Sequence, residues 1–322
     1  MKTTVVGAFP KNSDERQDLR RALHKLDRGE LDQAGIETVF DETTAWAIGE
    51  LEAAGIDVVN DGQIRWDDLL STFAGGWANT ERGPLERFYD NNTYFRQPVI
   101  KGPIESDGQL LVTPFKRAKA LAKREVKAAI CGPLTFATLT AEDRQYKDLE
   151  ARTLAVAAAL AQELRGLKRA GATLVDVEEP ALAAHPEHVD LARAAIERVA
   201  EAGVALALYP YFFPIDRIIE KLASFPIAQL GVDVRSRETS PRAIDRLGAV
   251  KQTVVLGVVD ARNTRIEAPR AIGDLVDAAR KYVPEDRLWL STTTGLEYLP
   301  HDVATRKLAA LADAARIGGG VR

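Results

Sequence analysis

Leu174-Val175-Asp176-Val177-Glu178-Glu179-Pro180 is a short apolar run that turns acidic and stops at proline. Its valines suit a strand buried on both faces, and its polar end marks where such a strand leaves the core. Seven further segments have the same form: Thr4-Val5-Val6-Gly7-Ala8-Phe9-Pro10, Val58-Val59-Asn60-Asp61-Gly62-Gln63, Ala129-Ile130-Cys131-Gly132-Pro133, Leu206-Ala207-Leu208-Tyr209-Pro210-Tyr211, Leu230-Gly231-Val232-Asp233, Val254-Val255-Leu256-Gly257-Val258-Val259-Asp260 and Leu288-Trp289-Leu290-Ser291-Thr292-Thr293-Thr294-Gly295. Helical sequence separates most of them. Eight strands alternating with helices predict an α/β chain of the (β/α)₈ type, a TIM barrel, whose chemistry sits where the strands end.

Outward from the strands, residues 14–30 carry Leu19, Leu23, Leu26 and Leu31 at helical spacing and read as an N-terminal helical extension. A second helix over 37–54 should stop at Gly55. Residues 71–115 break the alternation: they hold Gly75-Gly76, Trp77, Phe88, Tyr89, Asn91-Asn92, Tyr94 and Phe95. They read as a long insertion with a β-hairpin whose second arm is Gln97-Pro98-Val99-Ile100. It would shape a substrate pocket or serve as a packing and dimerisation loop. Later helices are expected near 116–126, 144–170, 187–202, 214–223, 241–249, 268–282 and 301–316, with a loose tail at Gly318-Gly319-Gly320.

Bulk composition narrows the class. The 322 residues are 46% hydrophobic and 28% charged, enough for one large core and too apolar for disorder. One domain over 1–322 is expected. The net charge of −4 offers nothing to nucleic acid or an anionic membrane. No apolar run approaches the roughly 20 residues of a membrane helix. A chain starting in strand has no room for a leader, so a cytoplasmic protein is expected, and one cysteine excludes an internal disulfide.

The strand ends supply the candidate chemistry. Alternation puts Asp176 and Glu178 on one face and Glu179 on the other. Each carboxylate would bind a substrate cation or move a proton, or else cap a helix or pair with an arginine. Gln63 and Arg65, in Asn60-Asp61-Gly62-Gln63-Ile64-Arg65, are expected to touch ligand. Cys131 has no neighbouring base and reads as a small buried residue. Tyr209 and Tyr211 share a strand face, as pocket wall or as hydrophobic plug. Asp233, Asp260 with Asn263, and Thr294 with Glu297 complete the ring of polar strand ends. The four histidines and one cysteine form no zinc set, although oxygen ligands for magnesium or calcium stay open.

At these residues the chain resembles the catalytic domain of cobalamin-independent methionine synthase, archaeal single-domain relatives included. The matching words are Thr3-Thr4-Val5-Val6-Gly7-Ala8-Phe9-Pro10, Asn60-Asp61-Gly62-Gln63-Ile64-Arg65, Gly132-Pro133-Leu134-Thr135, Val177-Glu178-Glu179-Pro180-Ala181-Leu182, and Thr294-Gly295-Leu296 followed by Leu299-Pro300. The resemblance implies a (β/α)₈ barrel and methyl transfer from 5-methyltetrahydrofolate to a thiol held on zinc. It also exposes departures. The family's His-x-Cys pair falls on Tyr209 and Tyr211, its glutamate ligand on Asp233 and its last cysteine ligand on Thr294. The serine that helps hold homocysteine falls on Ala8, and the aspartate that grips the amino group falls on Glu178.

A thiol without zinc keeps a pKa of about 8.5 and loses the usual route to thiolate. The expectation is therefore a methyltransferase-type enzyme, zinc-independent, with 5-methyltetrahydrofolate as co-substrate, an altered acceptor and no tightly bound cofactor. Gln63, Glu178 and Asp233 would hold the polar end of the substrate, with Tyr209 and Tyr211 in the metal's place. The partner is a small molecule, with a homodimer left open. Alternatives are a metal-free lyase or decarboxylase, as in the related uroporphyrinogen decarboxylase barrel, and a non-catalytic binding protein.

Overall fold

A computed structural model describes residues 1–89, 93–235 and 240–318. Its strands are β1 (Lys2–Thr3), β2 (Val58–Val59), β3 (Ala78–Arg87), β4 (Tyr94–Glu105), β5 (Glu125–Val126), β6 (Ala128–Cys131), β7 (Leu174–Glu178), β8 (Ala205–Tyr209), β9 (Gln229–Asp233), β10 (Thr253–Val259) and β11 (Leu288–Thr292). Seven of them form one parallel sheet in the order β1-β11-β10-β9-β8-β7-β6. β2 pairs in parallel with β5, Thr4 bridges Val58, and the Lys127 N–H donates to the Val59 carbonyl at 2.9 Å. The strands are buried on both faces because helices cover the outside, which is why their residues are apolar without alternation. No helix among the described residues is long and apolar enough to cross a membrane.

Helix Gln33–Ala53 starts on the Asp32 carboxylate, which accepts from the Gly35 N–H, and helix Leu149–Arg169 starts in the same way on Asp148. Both end at a glycine in the left-handed region, Gly55 and Gly171, each at φ +89°. A Cβ there would be strained, and the turn releases the chain straight into the next strand. Leu160, Leu164 and Leu167 pack the covering face of the second of these helices onto the sheet.

Several expected boundaries move. The helix placed at 116–126 is Val112–Leu121; residues 125–126 are instead strand β5, because pairing with β2 outweighs the local helical pattern. The helix placed at 214–223 shrinks to Ile219–Leu222, hemmed in by Pro214 and Pro226. Pro133–Leu139 is an additional helix. Asn91-Asn92 and Gly319-Gly320 lie outside the described residues.

The insertion is an antiparallel hairpin of β3 and β4, so the second arm is longer than expected, Tyr94–Glu105. Its root is fastened to helix Leu149–Arg169. Buried Glu163 accepts from Trp77 Nε1–H at 3.2 Å and from the Ser106 hydroxyl at 2.5 Å. Its far end turns Phe88, Tyr94 and Phe95 toward the ends of the strands.

Candidate functional site

A cavity of about 430 Å³ opens where β1, β2, β7 and β8 end, a size suited to a small molecule. Glu178, the last residue of β7, lies at its floor. Its Oε1 accepts from Gln63 Nε2–H, and its Oε2 accepts from the Tyr211 hydroxyl at 2.8 Å. The turn after β2 aims Gln63. Asn60 Nδ2–H donates to the Gly7 carbonyl at 2.8 Å, Asp61 Oδ1 accepts from the Gln63 N–H at 2.9 Å, and Gln63 itself takes φ +49°.

Glu297 faces the same cavity from the turn after β11. The Ala8 carbonyl accepts from the N–H groups of Leu296 (2.8 Å) and Glu297 (3.2 Å), which pins that turn to the end of β1. Two glycines make the approach possible. A Cβ on Gly7 would lie 2.9 Å from the Gly295 Cα and 3.3 Å from Glu178 Oε2, and one on Gly295 would lie 1.9 Å from Glu297 Oε2. Both carboxyls therefore sit beside one backbone contact, and Glu297 feels the Glu178 charge.

Burial dominates their titration. It raises Glu178 to about 7 against the pull of its hydrogen bonds from Tyr211 and Gln63. It raises Glu297 to about 8, with the Glu178 charge adding to the effect. One carboxylate and one carboxylic acid then coexist near neutrality, the condition for a base and an acid in one site. Trp66, Phe88, Phe95 and Tyr298 give the cavity an aromatic wall, and Tyr94 stands at its rim, 60% exposed.

Ala8, Gln63, Glu178, Tyr211 and Glu297 thus come together. Other expected site residues go elsewhere. Arg65 pairs with Glu37 and Asp41, each at 2.6 Å, and lies over the Phe40 ring, outside the cavity. Glu179 turns away to hold helix Pro133–Leu139. It accepts from the Leu134 N–H (3.0 Å), the Thr135 N–H (2.6 Å) and the Thr135 hydroxyl. Asp260 closes a local turn, accepting from the Arg262 N–H at 2.8 Å and from Asn263 Nδ2–H. Thr294 is buried behind the wall.

Tyr209 also leaves the cavity: its ring lies on Gly231, where a Cβ would come within 2.1 Å of it, and the Lys127 ammonium is 5.1 Å from its centroid. Asp233 is half-buried and accepts from the Arg235 N–H at 2.8 Å. Lys11, Trp66 and Tyr298 are among the cavity residues that strand-end reasoning passed over, since they lie beyond the last strand positions, the first two in loops and the third in the short helical turn Leu296–Tyr298.

Glu179→Gln should lower stability by roughly 1–3 kcal/mol, since the amide cannot accept all three hydrogen bonds, and should leave catalysis intact. A thermal melt paired with a turnover assay checks this. Lost turnover at unchanged stability would return Glu179 to the chemistry.

The positions that the resemblance assigns to zinc do not fit the metal. Burial drives the phenols of Tyr209 and Tyr211 well above the usual tyrosine range, away from the anionic form a ligand needs. The space they share with Asp233 is about 10 Å³, room for about one water. Among the described residues no three His, Cys, Asp or Glu side chains converge to hold a metal.

A family profile described as the catalytic domain of cobalamin-independent synthase matches residues 1–317. The methionine synthase of Sulfurisphaera tokodaii is 26% identical over 309 residues, covering 95% of this chain and 89% of the relative. That of Saccharolobus solfataricus is 24% identical over 324 residues, covering 98% and 94%. Among solved structures, a B12-independent methionine synthase from a Shewanella species, in complex with selenomethionine, superimposes with a TM-score of 0.85. It is 21% identical and covers 98% of this chain and 96% of its own. That likeness establishes the fold, and the match over 1–317 establishes the lineage: the chain belongs to the cobalamin-independent synthase catalytic-domain family.

Proposed function

We propose that this chain is a methyltransferase that moves a methyl group from 5-methyltetrahydrofolate to a small thiol other than homocysteine, without zinc. The observation that carries the reading is the Glu178 and Glu297 pair at the floor of the cavity, beside Tyr211, which stands where the family places a metal ligand. The strand ladder, with the Thr4–Val58 bridge and the β2–β5 pair at its ends, supports a closed eight-stranded (β/α)₈ ring around that floor. The Shewanella relative in complex with selenomethionine supports a small sulfur-type ligand.

The chemistry balances with the residues present. Ionised Glu178 takes the acceptor's proton, and the sulfur lone pair attacks the methyl carbon. The carbon–N5 bond breaks and leaves its electron pair on N5, which takes the proton of Glu297. Net transfer of one proton from Glu178 back to Glu297 restores the pair. The Tyr211 hydroxyl and Gln63 amide hold Glu178 in place and favour its ionised form. Magnitudes favour a thiol: moving its proton to a carboxyl of pKa about 7 costs about 2 kcal/mol, whereas an alkylammonium at about 10.4 would cost nearly 5 kcal/mol.

The test is methyl transfer by chelator-washed protein. Isotope-labelled 5-methyltetrahydrofolate and a panel of thiols should yield a labelled thioether, detected by mass spectrometry, with substoichiometric zinc in the protein. Transfer that appears only after zinc is added sinks the metal-free mechanism. Binding without transfer to any acceptor favours the non-catalytic reading, and carbon dioxide release from a substrate acid favours the decarboxylase.

A further inference from the structure

Lys11 follows the end of β1 and is the only basic side chain among the described residues lining the cavity. Its ammonium donates to the Trp66 carbonyl. An ammonium has three N–H donors, and among the described residues no carboxylate lies within 4 Å of this one. The acids that act on it at longer range are already engaged. Asp67 pairs with Arg82 at 3.0 Å, and Asp68 accepts from the N–H groups of Leu70, Ser71 and Arg96. Asp61 accepts from the Gln63 N–H. Glu297 is held mostly as the neutral acid near pH 7. Burial lowers the Lys11 pKa against the pull of these acids, so an enclosed ammonium with two donors to spare is held in its charged form by an anion from outside the chain.

Four carboxyls line the cavity, Asp67, Asp68, Glu178 and Glu297, and each is engaged by the chain's own donors or held as the acid. Both oxygens of Glu178 already accept from within the protein, one from Gln63 and one from Tyr211. Ala8 brings only a methyl group to the cavity, and Gln63 is neutral. Beside its bond each Glu178 oxygen keeps a lone pair, which the acceptor's S–H needs, so an ammonium on the same molecule would compete with that S–H for the base.

We infer that the acceptor is a small thiol carboxylate lacking an ammonium group, its carboxylate held by Lys11 and its sulfur directed to Glu178. This rests on the methyltransferase reading for the thiol and on Lys11 alone for the anion.

Calorimetric titration without methyl donor tests it, with mercaptopropionate, cysteamine and homocysteine as probes. Mercaptopropionate should bind the wild type more tightly than either amine. Lys11→Met should weaken it by at least about tenfold, the loss expected for a charged hydrogen-bonded contact, and Lys11→Arg should keep most of the affinity. On the wild type, propionate should displace mercaptopropionate and ethylamine should not, which serves if Lys11→Met fails to fold. Tighter binding of homocysteine or cysteamine, or unchanged affinity in Lys11→Met, overturns the inference. Binding through Lys11 with no methyl accepted would instead sink the methyltransferase reading and leave the anion site standing. Labelled methyl appearing on homocysteine alone would leave methyl transfer standing and overturn the inference that the acceptor lacks an ammonium.

Discussion

Glu178→Gln is expected to slow methyl transfer by about 10²–10⁴-fold, the contribution of a positioned general base, with little change in melting temperature. The amide keeps the shape of the carboxyl. Its oxygen still accepts from Gln63 Nε2–H, and its nitrogen can donate to the Tyr211 hydroxyl in place of the present bond. Stability should hold or rise, because burial already penalises the ionised form that glutamine removes. The loss should fall on kcat, since the base acts in the transition state. In the parent, turnover should rise as pH passes about 7, where Glu178 ionises, and fall beyond about 8, where Glu297 loses its proton. The two limbs belong to the coupled pair rather than to either residue alone. Stopped-assay rates from pH 5.5 to 9.5 would display the bell. A variant that keeps more than about a tenth of the parent rate removes Glu178 from the role of base.

How far the site was legible follows from the range of each interaction. Strand ends are local features: an apolar run that meets Asn60-Asp61-Gly62 or Glu178-Glu179-Pro180 must leave the sheet there, and it does. Alternation along β7 correctly sends Glu178 and Glu179 to opposite sides, one to the cavity and one to helix Pro133–Leu139. Arg65 shows where local reading stops. Its partners Glu37 and Asp41 are 28 and 24 residues upstream, on a helix whose outer face no window around Arg65 contains. Asp260 had a local answer, the turn it makes with Arg262 and Asn263, and a polar residue at a strand end fits that role as well as a catalytic one. Lys11 looked ordinary because one lysine in a loop is usually solvated; only the closing of the 295–298 turn over β1 encloses it. The family positions Tyr209 and Tyr211 diverge for a similar reason. The small Gly231 lets the first ring fold inward, while the second reaches Glu178.

Lys127→Met should destabilise the protein by roughly 3–5 kcal/mol at neutral pH, the cost of leaving a buried carboxylate without its partner. Lys127 and Asp176 are 1% and 0% exposed, and their charged atoms meet at 2.6 Å beneath the cavity floor. Neither gains a well-aligned hydrogen bond from the contact or from any other described group, so the ammonium is the main compensation for the Asp176 charge. Even with it, burial lifts Asp176 to about 6. A carboxyl raised in the folded state binds its proton more tightly there than in the unfolded chain. Its contribution is therefore complete below about 4 and is lost as pH climbs through about 6. Without Lys127 the carboxyl would rise further, so the variant's deficit should be large at pH 8 and shrink toward pH 5. Urea unfolding at both values measures it, and a deficit independent of pH would show that Asp176 does not set the cost. Lys127→Met with Asp176→Leu should recover most of the loss, since an apolar pair of similar volume needs no compensation. Asp176 and Glu178 alternate on one face of β7. A double variant that unfolds like the parent but transfers methyl slowly would place the pair's role in holding Glu178 at the cavity floor; one that matches the parent in both would make the pair dispensable to chemistry.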